Sequence, residues 1–151
     1  MNHGMRRAKY GNICPCAVGD YLAGDALERH MDVEGPSFGA WEDALTGEVN
    51  HPPDNWSERI WTDNQFCLGT AMFSTDDWAK IGGFDEDLLY SVDWSFSLRL
   101  HAAVGWTRID AVLMTGAEYP GGHTARADFR RKCRDNAMVS RWARKHERDA
   151  A

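Results

Sequence analysis

Three acidic groups carry the residue types needed for proton transfer or metal binding: Asp76-Asp77, Asp85-Glu86-Asp87 and Asp93. The first pair follows Ser74-Thr75, where carboxylates complement the positive end of a helix and need no chemical role. The second is an Asp-x-Asp triplet, a spacing at which alternate carboxylates can share a divalent ion with a diphosphate; a solvated acidic turn has the same composition. Asp93 stands apart, between Val92 and Trp94 and close to Phe96. At a helix start the dipole favours its ionised form while apolar neighbours reduce its hydration, which suits a general base; an N-terminal capping role is the alternative. Cys14, Cys16, Cys67 and Cys133 have neither a CxxC nor a zinc-finger spacing and are expected to be buried, reduced thiols.

The elements that must position these groups alternate between strand and helix, which makes the class α/β. Residues 10–18 read as a short buried strand broken by Pro15, and a short helix is expected around Ala26-Leu27. Residues 32–64, rich in Gly, Pro, Asn, Asp and Trp, read as a long irregular excursion. Its tryptophans suit either sugar stacking or the core. Gln65–Phe73 reads as a strand interrupted by Gly69, followed by a helix capped at Ser74 or Thr75 and stopped at Gly82. A helix from Ser91 to Val104 carries Val92, Phe96, Leu100 and Ala103 at helical spacing; Thr107–Met114 is a strand; a last helix runs from Ala127 to about His146 with Phe129, Cys133, Ala137 and Trp142 near one face.

Three segments of this pattern, Phe66-Cys67-Leu68-Gly69-Thr70-Ala71-Met72-Phe73, Trp78-Ala79-Lys80-Ile81-Gly82-Gly83-Phe84-Asp85-Glu86 and Val92-Asp93-Trp94-Ser95-Phe96-Ser97-Leu98-Arg99-Leu100, closely resemble the acceptor half of inverting, nucleotide-sugar-dependent glycosyltransferases of the GT-A fold (family 2-like). The resemblance covers residues 65–105, is topological beyond Gly105 and faint before residue 60. It implies a mixed sheet flanked by helices, in which Asp93 is the base that deprotonates the acceptor hydroxyl. Gly69 lines the sugar pocket, Asp85 and Glu86 lie at the acceptor edge, and Trp94 stacks on a sugar. His123 falls where members often place a histidine near the metal, although an ordinary loop histidine is the simpler reading. The chain departs from the family at Val92, where members have Glu, and at Ser95, where they have Asp.

The family's nucleotide-binding half, with its metal-holding Asp-x-Asp, normally precedes the catalytic aspartate by ~80–100 residues, and residues 1–19 hold no acidic residue. The resemblance therefore implies a partial GT-A fold lacking the donor half, with a divalent metal (Mn or Mg) belonging to the complete enzyme. The expected organisation is an irregular N-terminal segment (1–64), an acceptor-side catalytic region (65–123) and a basic C-terminal helix (124–151). The substrates would be a nucleotide-sugar donor and a carbohydrate or lipid-linked acceptor. A non-catalytic carbohydrate-binding or interaction module is the alternative function. An incomplete sheet would expose an edge and lead to self-association or to a partner chain supplying the missing half.

Length and composition agree with a folded domain: 151 residues, 43% hydrophobic and 26% charged, with seven Trp and a net charge of -6. No apolar run approaches the ~18 residues that span a bilayer, and the N-terminus has no apolar stretch after Arg6-Arg7, so a cytoplasmic location is the default expectation. Residues 1–125 hold 8 Lys/Arg against 19 Asp/Glu, whereas residues 126–151 hold 9 against 4. A basic helix on an acidic body lacks the interleaved aromatics of a nucleic-acid interface. Arg130, Arg131, Lys132, Arg134, Arg141, Arg144 and Lys145 are expected on a solvated face, with peripheral contact to an anionic membrane as the alternative.

Overall fold

The computed structural model describes residues 11–17, 19–116 and 128–150. Its elements, in chain order, are β1 (Asn12–Ile13), β2 (Tyr21–Leu22), α1 (Ala26–Met31), β3 (Ser37–Asp43), β4 (Val49–Asn50), α2 (Trp56–Arg59), a 3-10 turn (Leu68–Thr70), β5 (Phe73–Ser74), α3 (Thr75–Lys80), α4 (Val92–Val104), β6 (Thr107–Gly116) and α5 (Phe129–Ala150). Strands β3 and β6 form the middle of a four-stranded sheet of order β2-β6-β3-β4. They run parallel, from Ser37 opposite Thr107 to Asp43 opposite Gly116, while β2 and β4 are antiparallel to their neighbours. A parallel pair cannot be closed by a hairpin; the crossover between β3 and β6 contains α4 and both motif segments that precede it. A second, two-stranded sheet pairs β1 with β5. The fold is thus a mixed sheet flanked by helices, with both edge strands of the main sheet only two residues long.

Helix α4 runs through the core, and Trp94, Ser95, Phe96, Ser97, Leu98 and Leu100 are all buried. A helix covered on most sides needs no narrow apolar stripe, which is why Ala103, expected on that stripe, is exposed without harm. Phe96 stacks on Phe84 at 4.3 Å, and Phe38 of β3 stacks on Phe66 at 3.9 Å. Helix α3 begins in a capping box, with the Ser74 hydroxyl and the Asp77 carboxylate exchanging hydrogen bonds with each other's backbone N–H. No helix among the described residues is long and apolar enough to cross a membrane.

Four expectations are corrected. Residues 32–64 contain the sheet's central strand β3 and helix α2 rather than an irregular excursion. Trp56 and Trp61 of that segment are half-buried and pack on His101 at 5.3 and 6.0 Å. Gln65–Phe73 is not a continuous strand, because Cys67 to Ala71 close 3-10 hydrogen bonds and the Thr70 hydroxyl docks on the Gly39 peptide. The cysteines are free, but Cys16 and Cys133 are exposed. Cys14 is half-buried, and burial together with neighbouring Cys16 pushes its thiol up to about 11. The buried positions of α5 are Asp135, Val139 and Ala143, with Trp142 packed beside them. Phe129, expected on that face, is 77% exposed, and Cys133 and Ala137 also face solvent. The start expected at Ala127 lies outside the described residues.

Two histidines, His30 buried and His101 half-buried, couple the fold to pH. Burial holds His30 and His101 below the ordinary value of 6.5, partly countered at His30 by a backbone hydrogen bond to Thr70. His30 Nδ1 meets the Ser37 hydroxyl at 2.8 Å between α1 and β3. A histidine favoured as neutral in the fold binds more protons once unfolded. Its contribution is therefore complete above about pH 6.5 and is lost as pH falls from there toward the folded pKa. Denaturant melts are expected to show lower stability at pH 5.5 than at pH 7.5, and His101→Phe, which keeps a ring against the two tryptophans, should flatten that dependence. Equal slopes in wild type and variant would reject the role of His101.

Candidate functional site

A cleft of about 950 Å³ opens where the Leu68–Thr70 turn, the N-terminus of α4 and the first half of α5 meet. Gly69 and Asp93, 24 residues apart in sequence, both line it, as do Asn64, Trp94, Lys132 and Asn136. Asp93 occupies the first turn of α4 and is half-buried. One carboxylate oxygen accepts the Trp94 N–H at 2.9 Å and the other accepts the Asn64 side-chain N–H at 2.9 Å. The capping alternative is therefore partly realised, since Trp94 N–H is one of the amides that a helix start leaves unpaired. The same two bonds fix the carboxylate at the cleft wall, where it can accept a proton from a hydroxyl in hydrogen-bond reach.

Gly69 contributes backbone to the wall. A Cβ at this position would meet Met114 Sδ at 2.7 Å and Cys67 Sγ at 3.5 Å, so the missing side chain serves close packing of the turn on β6. Trp94 is only 5% exposed, and its indole N–H donates to the Ile60 carbonyl at 2.8 Å. It forms a core wall rather than the stacking platform expected from sequence. Asp85 and Glu86 do not line the cleft; Asp85 accepts the Asp87 N–H and lies near Arg99. Arg99 fastens the Gly-Gly turn to α4 by donating to the Ile81 and Gly83 carbonyls at 2.7 Å each. Burial lowers the Arg99 pKa and the Asp85 charge opposes that shift. His123 lies outside the described residues.

Charge in the cleft is predominantly negative: Asp20, Asp63 and Asp93 stand against Lys132 among the described lining residues. Burial raises the Cys67 pKa, and the Asp20 and Asp93 carboxylates add to the rise. Cys67 is consequently a neutral thiol and a poor nucleophile at physiological pH. Carboxylates and amides in this proportion suit the hydroxyl groups of a neutral ligand better than an anion. Among the described residues no three His, Cys, Asp or Glu side chains are grouped to hold a metal ion.

Sequence reasoning missed Asn64 and Asp135. Asn64 sits in a stretch whose composition reads as loop, and its tie to Asp93 spans 29 residues. Asp135 is a lone acid amid the arginines of α5, and a heptad count that followed it through Val139 and Trp142 would have exposed the true buried face. No family model and no curated protein matches the chain.

Proposed function

We propose that the chain forms the acceptor side of an inverting glycosyltransferase of the GT-A type, with Asp93 as the general base. The observation that carries this reading is the convergence of Gly69 and Asp93 on one cleft, with the Asp93 carboxylate held by Asn64. In the proposed reaction the acceptor hydroxyl enters the cleft and gives its proton to Asp93 as its oxygen attacks the anomeric carbon. The bond from that carbon to the nucleoside diphosphate breaks, and the electron pair leaves with the diphosphate. Attack opposite the leaving group inverts the anomeric centre. A divalent Mn or Mg ion belongs to the same proposal, as the charge partner of the departing diphosphate. The described residues offer no cluster of His, Cys, Asp or Glu to hold it.

The test joins the chain to a nucleotide-binding half, incubates the assembled enzyme with nucleotide-sugar donors and a panel of neutral saccharide acceptors, and reads the product anomer by NMR. Inversion is expected, and a retained configuration would overturn the proposal. A carbohydrate-binding module without transfer is the second reading, favoured by Val92, which puts an apolar side chain in the cleft lining beside the base. Saccharide binding by the chain, with no transfer even when it is joined to a nucleotide-binding half, would select it.

A further inference from the structure

Helix α5 is tied to the turn that precedes α4 by a carboxylate with no exposed surface. Asp135 is fully buried. One of its oxygens accepts two successive backbone N–H groups, those of Leu89 and Tyr90, at 2.9 Å each. The other accepts from Arg131 at 3.2 Å and from Arg134 at 3.0 Å. Arg131 also reaches back to the Asp87 carbonyl at 2.9 Å. The next residue of α5, Asn136, accepts the Ser91 hydroxyl, and Ser91 is held at φ 59, a left-handed conformation that a residue with a Cβ seldom adopts. Asp93 follows two residues later.

We propose that Asp135 is a positioning residue: by fixing the Leu89 and Tyr90 amides it sets the left-handed step at Ser91, and hence the direction in which α4 presents Asp93 to the cleft. The inference rests on the reading of Asp93 as the base. Val139 and Ala143 already supply apolar docking of α5 on the core, and an apolar side chain at position 135 would pack there without the cost of burying a charge. Only an acceptor, however, can bind two consecutive backbone donors of a turn. Burial pushes the Asp135 pKa up, but the Tyr90 and Leu89 N–H groups, with Arg134 and Arg131, outweigh it and hold the pKa below the ordinary carboxylate value. The group is charged at neutral pH and keeps its full accepting capacity. Strained backbone of this kind persists only where surrounding contacts over-determine it.

The experiment compares Asp135→Asn, Asp135→Glu and Val139→Ala in the full chain. Transfer kinetics, with a nucleotide-binding half supplied, are read beside NMR of the chain, namely amide hydrogen exchange at Leu89 and Tyr90 and the carboxyl carbon shift of Asp93. Asp135→Asn is expected to lower kcat by roughly 10²-fold, the scale of a small misplacement of a reacting group, with the donor KM nearly unchanged. Its Leu89 and Tyr90 amides should exchange faster, and the Asp93 carboxyl signal should move. Asp135→Glu, which keeps the charge, should recover part of the rate and carries the test if the Asn variant does not fold. Val139→Ala should lower global stability and leave kcat alone. The proposal is overturned if kcat follows global stability alike in all three variants, or if the Leu89, Tyr90 and Asp93 signals do not respond to position 135. Should those signals respond while wild type transfers no sugar, the positioning role stands and the transferase reading falls.

Discussion

Asp93→Asn is expected to lower sugar transfer by roughly 10²–10⁴-fold, the usual contribution of a positioned general base, and to leave the fold intact. Asparagine matches aspartate in shape, so one oxygen still accepts the Trp94 N–H that Asp93 now takes at 2.9 Å. The Asn64 contact changes from a charge-assisted bond to an amide pair. Once its amide turns over, Asn64 Oδ1, buried and with no hydrogen-bond partner among the described residues, can accept from the new amide. Losing the charge at the first turn of α4 and the charge-assisted bond costs about 1 kcal/mol in stability, far too little to unfold the domain. A melting temperature within a few degrees of wild type, combined with the rate loss, separates chemistry from folding. Wild-type transfer by Asp93→Asn would move the base elsewhere in the cleft, with Asp20 and Asp63 the carboxylates next in line.

What the sequence discloses follows from how local each signal is. The Ser74–Asp77 box that starts α3 lies within four residues, and the one-turn spacing of Phe96 and Leu100 lies within one helix, so both are readable from neighbours alone. β3 is different. Its Ser37-Phe38-Gly39-Ala40 half is buried throughout, which removes the polar alternation of a half-exposed strand. Its parallel partner lies about 70 residues away, Ser37 opposite Thr107, so a short run in which Ser, Gly and Ala interrupt Phe38 and Trp41 looks like loop until the pairing is known. Helix α5 shows a third case, in which the helix is legible and its orientation is not. A count of apolar residues favours Phe129, Cys133 and Ala137, whereas the buried face is organised around a charge, Asp135, whose partners are backbone amides 45 and 46 residues upstream.

The candidate site divides along the same line. Asp93 and Gly69 were legible because each sits in a segment with a recognisable order of residue types. Asn64 and Asp135, which hold Asp93 directly and through the Leu89–Ser91 turn, carry no local mark. Asp85 and Glu86 belong to an equally recognisable turn, yet the cleft does not include them. Their turn is anchored from behind by Arg99, which gives the Gly-Gly-Phe-Asp-Glu segment a structural role in fixing the flank of α4.

Gly39→Ala is expected to destabilise the protein by about 3 kcal/mol, at the upper end of what an inserted methyl costs in a packed core, and to lower the melting temperature by roughly 6–12 °C for a chain of this size. A Cβ at Gly39 would lie 2.6 Å from Leu113 Cδ1 and 2.8 Å from the Ala111 carbonyl oxygen. The leucine can rotate, but the carbonyl belongs to β6 at the point where the β3–β6 register shifts between Phe38 and Ala40, so relief there requires the strands to separate. Gly69→Ala offers the contrast, because its nearest obstacle is the thioether of Met114 at 2.7 Å, the flexible end of an adaptable side chain, and the cost should stay below about 1 kcal/mol. The strain at position 39 also reaches the cleft. The Thr70 hydroxyl donates to the Gly39 carbonyl at 3.0 Å and accepts the Gly39 N–H at 3.4 Å, and Thr70 closes the turn that sets Gly69 at the cleft wall. Gly39→Ala should therefore weaken ligand binding in the cleft more than Gly69→Ala does, although Gly69 is the residue that lines it. Calorimetric melts and saccharide titrations of the two variants decide the matter, and equal melting temperatures would show that β6 can accommodate a side chain at position 39.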